Sequence, residues 1–334
     1  MSEREGPNRS TARVRVWQSV GRIAGVFAAL CAACASLRFV TGSYPYDLLS
    51  HFQLQYLLAG SLLVVITTLA RVRWAIVAAI ICVIGPATAI VPRLGIVSSM
   101  GSSATDANAS TLRIYHANVL TDNTSYARAL ADIASHDPDI IILQETDDRW
   151  MQGVAALRDT HPHIVAQPRG DNFGMAVYSR LAISQHTVAD LGASGVPTII
   201  FQVMFDDRVV EIIGTHPLPP LQRPTAELRD RQLAALAEHL RNRDERARIV
   251  IGDLNVTPFS PHFKQLVARA TAMHDGRLGQ GLLPTWPAEY PWFMRIPIDH
   301  CLVSDELEVM HLTTGADIGS DHLPLIVDVA LRSQ

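Results

Sequence analysis

Three apolar runs within the first hundred residues limit what this chain can become. They read "IAGVFAALCAACASL" from Ile23 to Leu37, "FQLQYLLAGSLLVVITTLA" from Phe52 to Ala70, and "WAIVAAIICVIGPATAIV" from Trp74 to Val91. A membrane span needs about 20 mostly apolar residues. The second and third runs reach that length, and the first does when it begins near Val16. Charge sits only at their ends, and the link Arg71-Val72-Arg73 leaves room only for a tight turn. The hydropathy pattern therefore predicts a membrane domain over 1–97 with transmembrane helices at about 16–37, 52–70 and 74–91.

Arginine placement orients those spans. Arg4, Arg9, Arg13, Arg15 and Arg22 precede the first, and Arg71 and Arg73 join the second to the third; the opposite side holds only Arg38 and Arg93. The positive-inside rule puts the arginine-rich side in the cytoplasm. The expected location is thus the cell (inner) membrane, multi-pass, with the body periplasmic or extracellular. Reading the first run as a signal cleaved near Ala33–Ser36 leaves the body on the same side. Residues 98–110, containing "GSSATDANAS", read as a small polar linker. Cys31, Cys34 and Cys82 lie in apolar runs and Cys301 in a strand candidate, which is not the layout of a disulfide framework.

From Leu112 the period changes. "LRIYHANVL", "DIIILQE", "GMAVYSR", "TIIFQVMF", "RVVEIIGTH", "RIVIGDLN", "IPIDHCLVS", "LEVMHLTT" and "HLPLIVDVAL" read as strands. "TSYARALADIASH", with Thr124 or Ser125 as its cap, and "TAELRDRQLAALAEHLRNR" read as amphipathic helices. Strands interleaved with helices give an α/β class over 111–334: two packed sheets with helices outside.

Polar residues recur where the apolar runs end. Asn118 closes "IYHAN", Glu145 closes "IIILQE", His216 closes "EIIGTH", and Asp253 and Asn255 close "IVIGDLN". Asp299 and His300 begin "DHCLVS", and Asp321 and His322 open the last strand. A carboxylate is costly to bury unless it is paired or holds a cation. One such group per element, gathered at one edge, is how a rigid scaffold builds an active site. His116, His136, His161, His163, His274 and His311 carry no such pattern and read as structural.

The set "HANVL", "LQET", "GTHPLPP", "GDLNVTP", "IDHCLVS" and "GSDHLP", in this order, resembles the endonuclease/exonuclease/phosphatase superfamily, the DNase I-like fold. The resemblance implies a four-layer α/β/β/α sandwich and a hydrolase acting on phosphate ester or phosphoanhydride bonds with Mg²⁺ or Mn²⁺. It implies Glu145 as principal metal ligand with Asn118 beside it, and Asp321 as assisting at the metal or orienting its neighbours. Asp253 and Asn255 would orient water and phosphate. His322, held by Asp299, would act as base or transition-state partner, and His216 would serve the phosphate or the leaving group. Leu120 stands where some members carry an acid, which weakens a second metal site there. Arg229 and Gln232 follow the His216 loop and Trp286 and Arg295 precede Asp299, so these four are candidates for substrate binding.

The expected partners are the lipid bilayer and a lipid phosphate; no protein partner is implied. Spans followed by this domain resemble bacterial membrane phosphatases of glycopeptide (teicoplanin and vancomycin) resistance, which implies an undecaprenyl-pyrophosphate-like substrate. A nuclease or sphingomyelinase-like phosphodiesterase on the same side is the alternative. Nucleic acid is disfavoured: residues 110–334 carry 18 Arg and 1 Lys against 28 acidic residues, whereas phosphate-backbone binders present basic surfaces. A non-catalytic binding module is disfavoured by the intact set of ionisable residues. The orientation is testable: a C-terminal alkaline phosphatase fusion should be active and a cytoplasm-only fluorescent fusion dark, and the reverse pattern refutes it.

Overall fold

The computed structural model describes residues 9–40, 44–95, 110–241 and 247–332. It forms two compact units, Met1–Val91 and Pro92–Gln334. Apart from Ser110, the expected linker lies outside the described residues.

The first unit holds α1 (Arg9–Ser36), α2 (Tyr46–Ser50), α3 (Gln53–Leu69) and α4 (Arg73–Ile90). The three long helices fall on the three apolar runs, but among the described residues two, not three, are long and apolar enough to cross a membrane: Arg13–Phe39 and Arg73–Arg93. The middle helix has 17 residues. At 1.5 Å per residue it rises about 26 Å, short of a hydrocarbon core of about 30 Å. Gln53 turns its amide back to the carbonyls of Ala35 and Ser50, and Ala70–Val72 form the turn into α4. Small residues lie between the helices, including Ala24, Ala28, Ala75 and Ala79, and a Cβ on Gly60 would stand 3.0 Å from the Cys82 backbone. Large apolar side chains point outward instead, among them Ile23, Phe27, Leu62, Val65, Ile81 and Ile84.

The second unit contains β1 (Leu112–Asn118), α5 (Tyr126–His136), β2 (Ile140–Gln144), α6 (Asp148–Gly153), α7 (Leu157–Thr160), β3 (His163–Gln167) and β4 (Met175–Ser179). It continues through β5 (Ile183–Ala189), β6 (Thr198–Phe205), β7 (Arg208–Thr215), α8 (Arg223–Arg241), β8 (Ala247–Asp253), α9 (Pro261–Arg269) and β9 (Met273–Asp275). It ends with β10 (Asp299–Ser304), β11 (Leu307–Thr314) and β12 (Leu325–Leu331). One six-stranded sheet runs β11-β12-β1-β2-β4-β3 and the other β5-β6-β7-β8-β10-β9. Ser125 is the N-cap of α5, yet its side chain makes no capping bond. The strands at β3, β5 and β9 carry no clean apolar signature: β5 is mostly exposed and β9 has three residues.

Alternation builds the layers. Leu112, Ile114, Ile140 and Ile142 face Phe201, Val203, Ile212 and Ile249 between the sheets. Tyr115, Ala117, Ile141 and Leu143 turn the other way, against Ile133, Trp150 and Leu157 from the helices on that side. On the second sheet, Ile213, Val250 and Leu302 pack on Leu233, Leu236, Leu240, Phe263 and Leu266 from α8 and α9. The result is an α/β/β/α sandwich.

Two parallel pairings aim this sandwich. β1 pairs parallel with β2, across α5, and β7 pairs parallel with β8, across α8. All four strands therefore end at one edge. β10 runs antiparallel to β8 and β12 antiparallel to β1, so their beginnings reach the same edge. Phe201→Ala, at a position with no solvent exposure between the sheets, should cost about 3–5 kcal/mol in urea denaturation with an unchanged denaturant slope; a loss below about 1 kcal/mol would mean the inter-sheet core does not hold this domain.

Candidate active site

At the shared edge the chain leaves its strands through left-handed backbone. Leu120 (φ 59°), Glu145 (φ 62°) and Asn255 (φ 50°) follow β1, β2 and β8. Such conformations cost a non-glycine residue roughly 1–3 kcal/mol and persist where the surroundings demand them. Gln144 demands one. Its Oε1 accepts from Asp253 N (3.0 Å) and its Nε2 donates to Thr215 O (2.9 Å), which clamps one sheet to the other. Gly252 permits the approach, since a Cβ there would lie 2.0 Å from Thr215 O.

The clamp gathers the polar residues. Asn118 Nδ2 donates to Glu145 Oε1 at 2.8 Å and reaches Asp253 Oδ2 at 3.4 Å. Thr121 Oγ1 donates to the Glu145 carbonyl at 2.9 Å. Asp253 Oδ2 lies 3.5 Å from His216 Nε2 and 3.6 Å from His322 Nε2. The other face of the His322 ring is held by Asp299, Nδ1 to Oδ2, at 2.9 Å. Thr285 Oγ1 donates to that same Oδ2. Phe173 packs on His216 and Trp286 on His322, with centroids 5.3 and 6.4 Å apart.

Strand register sharpens this geometry. Asp299 stands directly opposite Asp253 in the β8–β10 ladder, and like charges placed so repel. Burial works against a charged His322, but Asp299 and Asp253 outweigh it and push its pKa up to about 10. Burial alone would raise Asp299, yet the His322 charge and hydrogen bond hold it well below the ordinary carboxylate range. The stable pair is imidazolium and carboxylate. Burial pushes the Glu145 carboxyl up, opposed by His216 and by the Asn118 bond.

Asn118, Glu145, His216, Asp253, Asp299 and His322 are thus brought together. Asn255 fastens the neighbouring loop instead: its amide donates to Pro217 O at 2.9 Å, and its N–H donates to Asp253 Oδ1 at 2.8 Å. Asp321, expected beside the metal ligands, accepts from the Trp286 indole at 3.0 Å, while its carbonyl accepts from Ala288 N at 2.7 Å. It ties the 286–296 loop to the edge. Three of the four substrate-binding candidates are hydrogen-bonded within the protein. Arg229 is buried and donates to Asp230 and, at 3.1 Å, to Asn255 O. Gln232 is buried and donates to the Thr215 and Thr198 hydroxyls. Both lie on the inward stripe of α8 with Ala226, Leu233, Leu236 and Leu240, so the 3.6-residue period itself marks them as interior. Arg295 donates to the carbonyls of Tyr290 and Ala288, each at 2.6 Å, and braces its own loop. Trp286 alone of the four borders the catalytic ring. Thr285 and Phe173 carry no motif signal; Gln144 falls inside "LQET", but its clamping role exists only once the sheets pack.

The donor set can be matched to a cation. Among the described residues no group of three or more His, Cys, Asp or Glu side chains gathers to hold an ion, which is not the enclosed arrangement of a structural zinc site. Two carboxylates bridged by one amide suit a hard dication that keeps much of its water, as Mg²⁺ does.

A family model, the Endonuclease/Exonuclease/phosphatase family, matches residues 114–322. The chain belongs to this family of phosphoesterases. Solved structures share the fold. D. rerio TDP2 complexed with single strand DNA product is 17% identical, with TM-score 0.56, covering 66% of this chain and 99% of that one. The human Nocturnin catalytic domain with bound sulfate is 19% identical, with TM-score 0.55, over 66% and 95%. An endonuclease/exonuclease/phosphatase from Beutenbergia cavernae is 20% identical, with TM-score 0.52, over 66% and 72%. No curated protein sequence matches the chain.

The raised His322 pKa makes a stability prediction for the protein in EDTA. Its contribution is complete below the ordinary histidine value of 6.5 and is lost as pH rises toward about 10. Thermal melts should therefore show stability falling across that interval, and His322→Gln should flatten the fall. Identical slopes for both proteins would mean His322 is not charged in the folded state.

Proposed function

We propose that this protein is a membrane-anchored, divalent-metal-dependent phosphoesterase that acts outside the cytoplasmic membrane on a lipid-linked phosphate or pyrophosphate. The observation that carries the lipid reading is the loop before Asp299. Its tip exposes Tyr290, Trp292 (60% exposed), Phe293 and Met294, while its base is bonded to the catalytic edge through Trp286 and Asp321. Aromatic residues favour the membrane interface. The apolar helices support the anchor, because large side chains face outward and small ones inward, as suits packing in lipid. The resemblance to glycopeptide-resistance phosphatases points to an undecaprenyl-pyrophosphate-like substrate. D. rerio TDP2 holds a DNA product, but the acidic balance of residues 110–334 disfavours that class here.

In the reaction, Glu145 and Asn118 would hold Mg²⁺ or Mn²⁺, with Asp253 adjoining. When bound, the ion supplies charge stabilisation at the phosphoryl oxygens and eases ionisation of water. Asp253 takes the proton of the attacking water at Oδ2. His322, kept protonated by its two carboxylates, donates from Nε2 to the phosphoryl oxygen on which charge develops. Asp299 fixes the ring by holding Nδ1. His216 presents Nε2 on the other side of Asp253 and serves the leaving oxygen.

The test uses full-length protein in detergent, assayed on a vesicle-embedded polyprenyl pyrophosphate, a soluble short-chain phosphate ester and plasmid DNA, with Mg²⁺ or EDTA. EDTA should abolish turnover, and Glu145→Gln should reduce it by a factor on the order of a hundred or more. Trp292→Ala should impair the vesicle substrate and spare the soluble one, because only remote binding is lost. Near-wild-type activity in Glu145→Gln refutes the metal assignment. Equal loss on both substrates makes the loop structural, and DNA cleavage faster than lipid hydrolysis overturns the substrate class.

A further inference from the structure

His116, the first residue of "HANVL" and read from the sequence as structural, lies two residues before Asn118 on β1. A strand turns alternate side chains to the same face, so His116 points with Leu112 and Ile114 into the space between the sheets. It is fully buried, and apart from the adjacent Gln144 amide neither ring nitrogen has a hydrogen-bond partner. Its Nδ1 lies 3.7 Å from Oδ1 of Asp299. That oxygen is equally unmatched: Oδ2 accepts from His322 and Thr285, whereas Oδ1 is buried without a partner. Arg277 reaches Asp299 only at its main-chain carbonyl. Gln144, the other polar side chain beside His116, is engaged by Asp253 N and Thr215 O.

Buried polar atoms left unpaired are costly, and here two of them face each other. We propose that His116 is a positioning residue that grips the second oxygen of Asp299 and so aims the first at His322. A carboxylate only accepts, so the nitrogen that faces Oδ1 carries the proton. Asp299 is then a bridge with an imidazole on each oxygen. Asp299 belongs to one sheet; His116 and His322 lie on or beside strands of the other. The bridge locks the orientation of His322 to the packing of the two sheets, as outer partners of metal-bound histidines lock theirs. Without it, Asp299 can pivot about the Thr285 bond, and His322 turns with it.

The inference rests on the phosphoesterase reading for its assay alone. The full-length protein in detergent is measured with a soluble phosphate ester and Mg²⁺. His116→Phe keeps the volume and removes the donor; kcat should fall on the order of tenfold with KM unchanged. His116→Asn places an amide N–H near the position of Nδ1 and should restore most of the loss, whereas His116→Gln, whose N–H lies near Nε2, should not. In an Asp299→Ala background, His116→Phe should have no further effect. A readout independent of turnover is the downfield proton resonance of His322 Nδ1–H, which should be retained in His116→Asn and shifted or lost in His116→Phe. Wild-type kcat in His116→Phe, equal behaviour of the Asn and Gln variants, or a loss that persists without Asp299 overturns the proposal. If His116→Phe lacks a cooperative melt, the Asn and Gln pair decides. If the wild-type protein turns over no phosphate ester, the function reading fails and the proton resonance decides the positioning role.

Discussion

Two buried carboxylates stand opposite each other across one antiparallel ladder, Asp253 on β8 and Asp299 on β10. Unpaired, such neighbours would repel and one would take up a proton. His322 resolves the conflict by offering one nitrogen to each, at 2.9 Å to Asp299 and 3.6 Å to Asp253. The cation and the two anions need one another, and none is comfortable in the sandwich alone. The imidazole comes from the turn before β12, in the other sheet. Charge neutralisation at this edge is thus inseparable from the packing of sheet on sheet.

The same constraint gives the site its chemistry. Because His322 is held as a cation, it can donate to an oxygen that gains charge. Asp253 meets His216 and His322 at the same oxygen, which places it at the centre of the polar edge. Because Glu145 is buried and bonded to Asn118, a dication placed there would replace an awkward burial with a favourable one. The left-handed turns at Leu120, Glu145 and Asn255 are the strain accepted for that convergence.

Much of this was legible in the chain. Apolar runs ending in Asn118, Glu145 and Asp253 marked strands that finish at a polar edge, and those ends do converge. What lay beyond the sequence was tertiary. Arg229 and Gln232 read as polar residues near a phosphate, yet the helical stripe carries them inside. Asp321, read as assisting at the metal or orienting its neighbours, accepts from the Trp286 indole. His116 read as structural because its partner is 183 positions away, although its parity with Asn118 placed it on the catalytic face. The middle apolar run has the length of a span, yet the helix it forms has 17 residues.

In the proposed reaction Asp299 and His322 act as one unit in the chemical step. Steady-state hydrolysis of a soluble phosphate ester by full-length wild-type, Asp299→Ala, His322→Ala and the double variant tests this most directly. The account predicts that each single variant loses most of the turnover and that the double variant loses little more than His322→Ala alone. Losses that multiply, or substantial turnover retained without His322, would contradict it.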